Sequence, residues 1–135
     1  MKNAGRLVRR CSSAGDQPRR YMMLKEAMSN LSEKSCVPCR GGVDPLGPEP
    51  VAELLGKLTG WSAERNHHLT KTYPFPDFAQ ALAFVNRIGA VAEQQNHHPN
   101  IAFTWGKVRV DIWTHKIDGL TESDFILAAK FDAVL

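Results

Sequence analysis

Residues 100–115 read NIAFTWGKVRVDIWTH, and the fold class turns on this stretch. Ile101, Phe103 and Trp105 alternate with Ala102 and Thr104. After Gly106-Lys107, the residues Val108, Val110, Ile112 and Thr114 alternate with Arg109, Asp111, Trp113 and His115. A period of two is the mark of a strand with one buried face. Gly106-Lys107, glycine first, suits a type II′ turn, so the stretch predicts a β-hairpin. With those two residues as the loop, Trp105 faces Val108, Phe103 faces Val110 and Ile101 faces Ile112. Every pair is apolar, which places Trp105 on the apolar face. Trp113 points to the otherwise polar face, where an aromatic marks a subunit interface or covers a local gap.

Extended outward, the same register sets His98 opposite His115. The residues before the hairpin, 94–100, read QQNHHPN. Pro99 has no N–H and frays the pairing there, so the expectation is proximity of the imidazoles rather than strict opposition. His97 leaves the chain in a different direction from His98, and three imidazoles then gather where the preceding helix meets the hairpin. An imidazole titrates at about 6.5 in its ordinary state. Three readings stay open from the residues: general acid–base catalysis, a three-histidine zinc site with an open position, or a solvated polar strand end. The second doublet, His67-His68, has nothing converging on it in this register and reads as structural or solvent-facing.

Working towards the N-terminus, Phe78, Ala81, Leu82, Val85, Ile88 and Ala92 follow helical spacing after the cap pair Asp77 and Gln80, predicting a helix over 77–95 that delivers the chain to His97. Leu69, Lys71, Tyr73 and Phe75 alternate as a strand that Pro76 ends. Val51, Leu54, Leu55 and Leu58 share a helical face, with Gly60 as the expected C-terminal cap. Residues 35–50 are rich in Gly and Pro and read as a loop, and a short helix is expected over 22–31. Past the hairpin, Asp118-Gly119 is a turn. Thr121 caps a last helix with Asp124 in the capping-box position, and Phe125, Ala128, Ala129 and Phe131 form its buried stripe. The order is α-β-β-α-β-β-α, an α+β domain.

A chain of 135 residues holds one modest core. The net charge of +3 conceals an asymmetry. Residues 1–20 carry six basic side chains and one acid, whereas residues 21–135 carry eleven basic and thirteen acidic ones. The body is therefore mildly acidic with scattered charge, which argues against a groove that tracks phosphates. No apolar run reaches the roughly 18 residues a membrane span needs, and no apolar stretch near the N-terminus reads as a secretion signal. Residues 1–31 are expected to be a basic extension, disordered at least to 20 or assigned from a start upstream of Met22 and Met23. The domain proper is expected at 32–135. The location expected is cytoplasmic, with a mitochondrion or plastid as the alternative if residues 1–20 are a transit peptide. Cys36-Val-Pro-Cys39 has C-x-x-C spacing, but no second pair completes a zinc site. With Cys11 these are expected to be reduced thiols.

Written as one string, Glu93 is followed by His97-His98-Pro99, then Trp105, His115 and Asp124. Residue types at these gaps resemble the active-site pattern of the pterin-4a-carbinolamine dehydratase family, and the resemblance covers about residues 32–135. Gly60-Trp61, the passage Tyr73-Pro-Phe75-Pro-Asp-Phe78 and the segment from Cys36 to Gly42 agree with it. The resemblance implies a four-stranded antiparallel sheet with helices on one face, and homodimers or homotetramers. It implies dehydration of 4a-hydroxytetrahydropterins to quinonoid dihydropterins, in recycling the tetrahydrobiopterin used by aromatic amino acid hydroxylases. No metal or organic cofactor is implied, and neither a nucleic acid nor a membrane is an expected partner. On the matching positions, His97 and His115 become the proton donors and acceptors and His98 orients the pterin. Pro99, Trp105, Thr114 and Asp124 become candidates for substrate binding, with core packing competing at Trp105 and the capping box at Asp124. Two rivals are a non-catalytic dimerisation module and a three-histidine metal protein, and a role in molybdopterin metabolism is a further alternative.

Overall fold

The computed structural model describes residues 31–37 and 41–135. The expected helix over 22–31, the basic N-terminal segment, Cys11 and Cys39 lie outside those residues, apart from Leu31. Leu31–Leu135 forms one compact unit.

Helix α1, Pro48–Leu55, starts inside the stretch expected to be loop. Pro48 suits a first helical turn, where its missing N–H has no partner to lose. Gly56, not Gly60, closes the helix. Gly60 instead adopts φ +83°, and the Lys71 side chain lies where a Cβ would project. Two strands follow, β1 (Ser62–Glu64) and β2 (His68–Pro74). Helix α2 (Phe78–Gln95) is capped by Asp77, whose side chain accepts from the Gln80 N–H. Strands β3 (Asn100–Thr104) and β4 (Lys107–Ile112), a 3-10 turn at His115–Ile117 and helix α3 (Glu122–Ala133) complete the chain. The four strands form one antiparallel sheet in the order β1-β2-β4-β3, an α+β architecture as expected.

Alternation decides the sheet's two faces. Leu69 and Tyr73 of β2 and Val108, Val110 and Ile112 of β4 are buried, while Lys107 and Arg109 are exposed. On the buried side the sheet meets α3, which is buried from Ser123 to Ala129 and again at Phe131. Its middle, residues 125–129, is wholly apolar, and the buried Asp124 near its start is hydrogen-bonded. Helix α2 contributes Ala81, Phe84, Ile88 and Ala92 to this core. The buried stripe thus includes Phe84, which the expected stripe omitted, and leaves Phe78 and Leu82 exposed.

Asp132 at the end of α3 ties the sheet to the helix. It accepts from Trp61 Nε1 at 3.0 Å, Lys71 Nζ at 2.9 Å and the Tyr73 hydroxyl at 2.7 Å. Burial first, and then the bond to Asp132, raise the Tyr73 phenol well above its ordinary pKa.

The hairpin forms with a different register from the one expected. Thr104 pairs with Lys107, Phe103 with Val108 and Ile101 with Val110, so Trp105-Gly106 is the loop. Gly106 does not take the positive φ of a type II′ turn. The neighbouring strand settles the turn: Pro74 pairs with Lys107, and the Phe75 N–H donates to Gly106 O at 2.9 Å. The offset from expectation is two residues. An offset of one would have exchanged the faces, whereas an offset of two keeps the side chains that remain paired on the faces they had. Apolar pairing therefore could not choose between the two registers. Trp105 leaves the apolar face and stands 67% exposed in the turn.

Candidate functional site

The site is built where α2 ends. Asn96 takes φ 53°, the left-handed conformation that Asn tolerates better than most residues. The His97 N–H then returns to Ala92 O at 3.2 Å, the closing bond of a Schellman cap. This reversal turns His97 back towards α3, and its Nε2 lies 2.6 Å from Asp124 Oδ1.

Asp124 is fully buried. Its Oδ2 accepts from the Thr121 N–H at 2.8 Å, the backward half of a capping box, and from Thr114 Oγ1 at 2.9 Å. One carboxylate thus closes α3, holds the residue before His115 and holds His97. A buried charge is stable only when its oxygens are satisfied, and here three donors satisfy two oxygens. A carboxylate only accepts, so His97 Nε2 carries the proton and Nδ1 is left free.

His98 bonds through Nε2 to Glu93 Oε2 at 2.8 Å, one helical turn back, with both side chains largely in solvent. His115 opens the 3-10 turn, and its ring lies against Trp113 with centroids 4.4 Å apart. His97, His98 and His115 line one cleft of about 340 Å³ with Val37, Asn96, Trp113, Thr114 and Lys116. That volume falls in the range of small-molecule sites. Among the described residues no three His, Cys, Asp or Glu side chains are arranged to hold a metal ion.

The three histidines therefore come together, by proximity and not by opposition, since pairing of β3 with β4 stops at Asn100 and Asp111. Thr114 lines the cleft, but its hydroxyl is engaged with Asp124 and lies 3.1 Å from Thr121 Oγ1. Three expected substrate contacts are placed elsewhere. Asp124 lies beneath the cleft and reaches it only through His97. Pro99 is not part of the lining; it separates the doublet from the first paired residue of β3. Trp105 sits at the far end of β3, about 17 Å away by strand rise.

Sequence reasoning missed Val37, Asn96, Trp113 and Lys116 as lining residues. Asn96, Trp113 and Lys116 directly flank the histidines, and that adjacency was the available signal. Val37 comes from a remote segment with no local signal. It is fastened by its N–H to Ser123 Oγ at 2.9 Å, and the neighbouring Cys36 N–H bonds Gln95 Oε1 at 2.9 Å. Burial pushes the Cys36 thiol up to about 11.

The doublet His67-His68 has a structural role, as the sequence reading allowed, with His68 opening β2, but it is not without a convergent neighbour. Leu69 pairs with Ile112 across β2 and β4, which brings His68 beside Trp113. Both imidazoles pack on that indole, with ring centroids at 5.4 and 5.8 Å.

A cleft of this size, walled by imidazoles at one end of an α+β sheet, has the dimensions of a small-molecule site. Comparison with known proteins identifies the lineage. Residues 44–134 match the family model described as pterin 4 alpha carbinolamine dehydratase, and the chain belongs to this family. A Rubrobacter xylanophilus protein provisionally named a pterin-4-alpha-carbinolamine dehydratase is 55% identical over 105 residues, covering 78% of this chain and 98% of that protein. A Rickettsia bellii protein with the same provisional name is 55% identical over 104 residues, covering 76% of this chain and 92% of its own. The crystal structure of a transcriptional coactivator/pterin dehydratase from Brucella melitensis matches with a TM-score of 0.64 at 30% identity, covering 67% of this chain and 98% of that one. Among the described residues no helix is long and apolar enough to cross a membrane.

Proposed function

We propose that the chain dehydrates 4a-hydroxytetrahydropterins to quinonoid dihydropterins by histidine acid–base catalysis, as part of pterin recycling. The observation that carries this reading is the convergence of His97, His98 and His115 on one cleft, with His97 held by the buried Asp124.

The reaction needs two proton transfers. The 4a-hydroxyl must gain a proton to leave as water when its C–O bond breaks. The N5–H proton must leave as the C4a=N5 double bond forms, so the products are the dihydropterin and one water. His97, with Nε2 committed to Asp124, offers Nδ1 for one transfer, and His115 serves the other. His98 orients the ring. Thr114 and Asp124 position the donors without touching the substrate. Positioned acid–base groups contribute about 10²–10⁴-fold. That suffices for a reaction that already proceeds slowly unaided.

The assembly that the resemblance implies is a homodimer or homotetramer. Exposed Phe78, Leu82 and Trp105 supply apolar surface for it to cover, and light scattering reads its mass.

The deciding experiment is the dehydration rate of a synthetic 4a-carbinolamine. The protein should accelerate it, and His97→Ala and His115→Ala should abolish most of the acceleration while the fold persists. A rate equal to buffer alone overturns the reading. Stoichiometric zinc in purified protein replaces it with the metal-site alternative.

A further inference from the structure

Two of the three cleft histidines are held by carboxylates: His97 by Asp124 and His98 by Glu93. His115 is different. Among the described residues its ring makes no side-chain hydrogen bond, and its one ring contact is Trp113 at 4.4 Å. The backbone of His115 is held by its own 3-10 turn, and its ring is set by Trp113, so whatever fixes Trp113 bears on the His115 ring.

Behind Trp113 stands the β1–β2 turn. Arg65 and Asn66 both take positive φ, 49° and 55°, and the His67 N–H closes the turn on Glu64 O at 2.8 Å. Asn66 Nδ2 also donates to Leu46 O at 3.0 Å, which fastens the turn to the segment before α1. The His67 ring then does three things. It packs on Trp113 at 5.4 Å, lies with Nδ1 3.1 Å from His68 Nδ1, and bonds through Nε2 to Asp118 Oδ1 at 2.8 Å. Asp118 is the left-handed residue, φ 53°, that closes the 3-10 turn begun by His115. One hydrogen placement satisfies the whole chain. The carboxylate accepts from His67 Nε2–H, and His67 Nδ1 accepts from His68 Nδ1–H.

We propose that His67 is a positioning residue for His115. It grips the segment 113–118 at both ends, by the indole before His115 and by the carboxylate after it. His68 braces the same indole from β2, at 5.8 Å. In this way the second doublet serves the first site without lining it. The role matters because a proton donor displaced by about 1 Å can lose two orders of magnitude in rate.

The inference rests on the dehydratase reading for its kinetic part, and a second measurement stands free of it. With the carbinolamine substrate, His67→Ala should lower kcat about tenfold with KM nearly unchanged. The same substitution in a His115→Ala background should change nothing further, because both act through one imidazole. His67→Gln should recover much of the rate, since its side-chain N–H can still reach Asp118. In parallel, the ring resonances of His115 in the NMR spectrum should shift or broaden in His67→Ala, while those of His97 stay in place. Unchanged kcat together with unchanged His115 resonances overturns the proposal, as does an equal loss of rate in both backgrounds. If the wild-type protein fails to accelerate dehydration, the functional reading falls, and the resonances alone then decide whether His67 positions His115.

Discussion

The two His-His doublets are the same dipeptide in opposite settings. His97 is mostly covered and bonds a carboxylate that sees no solvent, while His67 bonds Asp118, whose side chain is 86% exposed. An ion pair in water contributes little, about 0–1 kcal/mol, because solvent competes for both partners. A buried carboxylate cannot be left without donors, so its geometry is enforced. The lesson is that the partner's burial, and not the histidine, decides which doublet can hold a proton donor rigidly. His67 compensates by making several weak contacts at once, on Trp113, His68 and Asp118.

The comparison breaks most visibly at the first doublet. His97→Ala should reduce dehydration by about 10²–10⁴-fold, and His115→Ala by a similar factor, read by stopped-flow absorbance. Asp124→Asn comes next. The new amide nitrogen cannot accept from Thr121 N–H, Thr114 or His97, so at least one donor is orphaned. A loss of about 1–3 kcal/mol in denaturant unfolding is expected, with a lower kcat as His97 loses its anchor. Asn96→Ala should cost about 1–2 kcal/mol, because alanine resists the left-handed conformation, whereas Asn96→Gly should cost almost nothing. Glu93→Gln should be the mildest, under about 1 kcal/mol, because both members of that pair are exposed.

Alkaline pH gives an independent check on the packing around the site. The Cys36 thiol is raised from 9.0 to about 11, and the Tyr73 phenol is raised as well. The unfolded chain therefore releases these protons first. The contribution of Cys36 is complete below about pH 9 and is lost as pH climbs through about 11, while that of Tyr73 starts to fall only above about pH 10 and goes on falling beyond pH 11. Urea midpoints taken from pH 8 to pH 11 should fall steadily. A flat profile would show that neither group is as enclosed as described.

Much of the fold was legible because it rests on local rules. The strand alternation of 101–104 and 108–112, the Asp77 cap of α2 and the capping box at Thr121 and Asp124 are all short-range physics. The boundaries of α1 and the buried stripe of α2 were less so. Phe84 and Leu82 lie two residues apart on an apolar helix, and which of them turns inward depends on what packs there. The hairpin register escaped for a sharper reason, since two registers of the same parity bury the same side chains. The gathering of the histidines survived that error because it required only that β3 and β4 be adjacent. Trp105 did not survive it, because its assignment to the apolar face depended on being paired.

The sequence by itself determined the element order, the hairpin and the gathering of His97, His98 and His115, since periodicity and capping place the elements and a hairpin brings residues on either side of it together. Only the tertiary structure decided that Asp124 lies under His97, that Val37 walls the cleft and that His67-His68 backs Trp113. Those contacts join α3, the segment before α1 and the β1–β2 turn across long stretches of chain. No local propensity encodes them. They form only when segments distant in sequence pack together, and of the three only the buried Asp124 is compelled to find its donors.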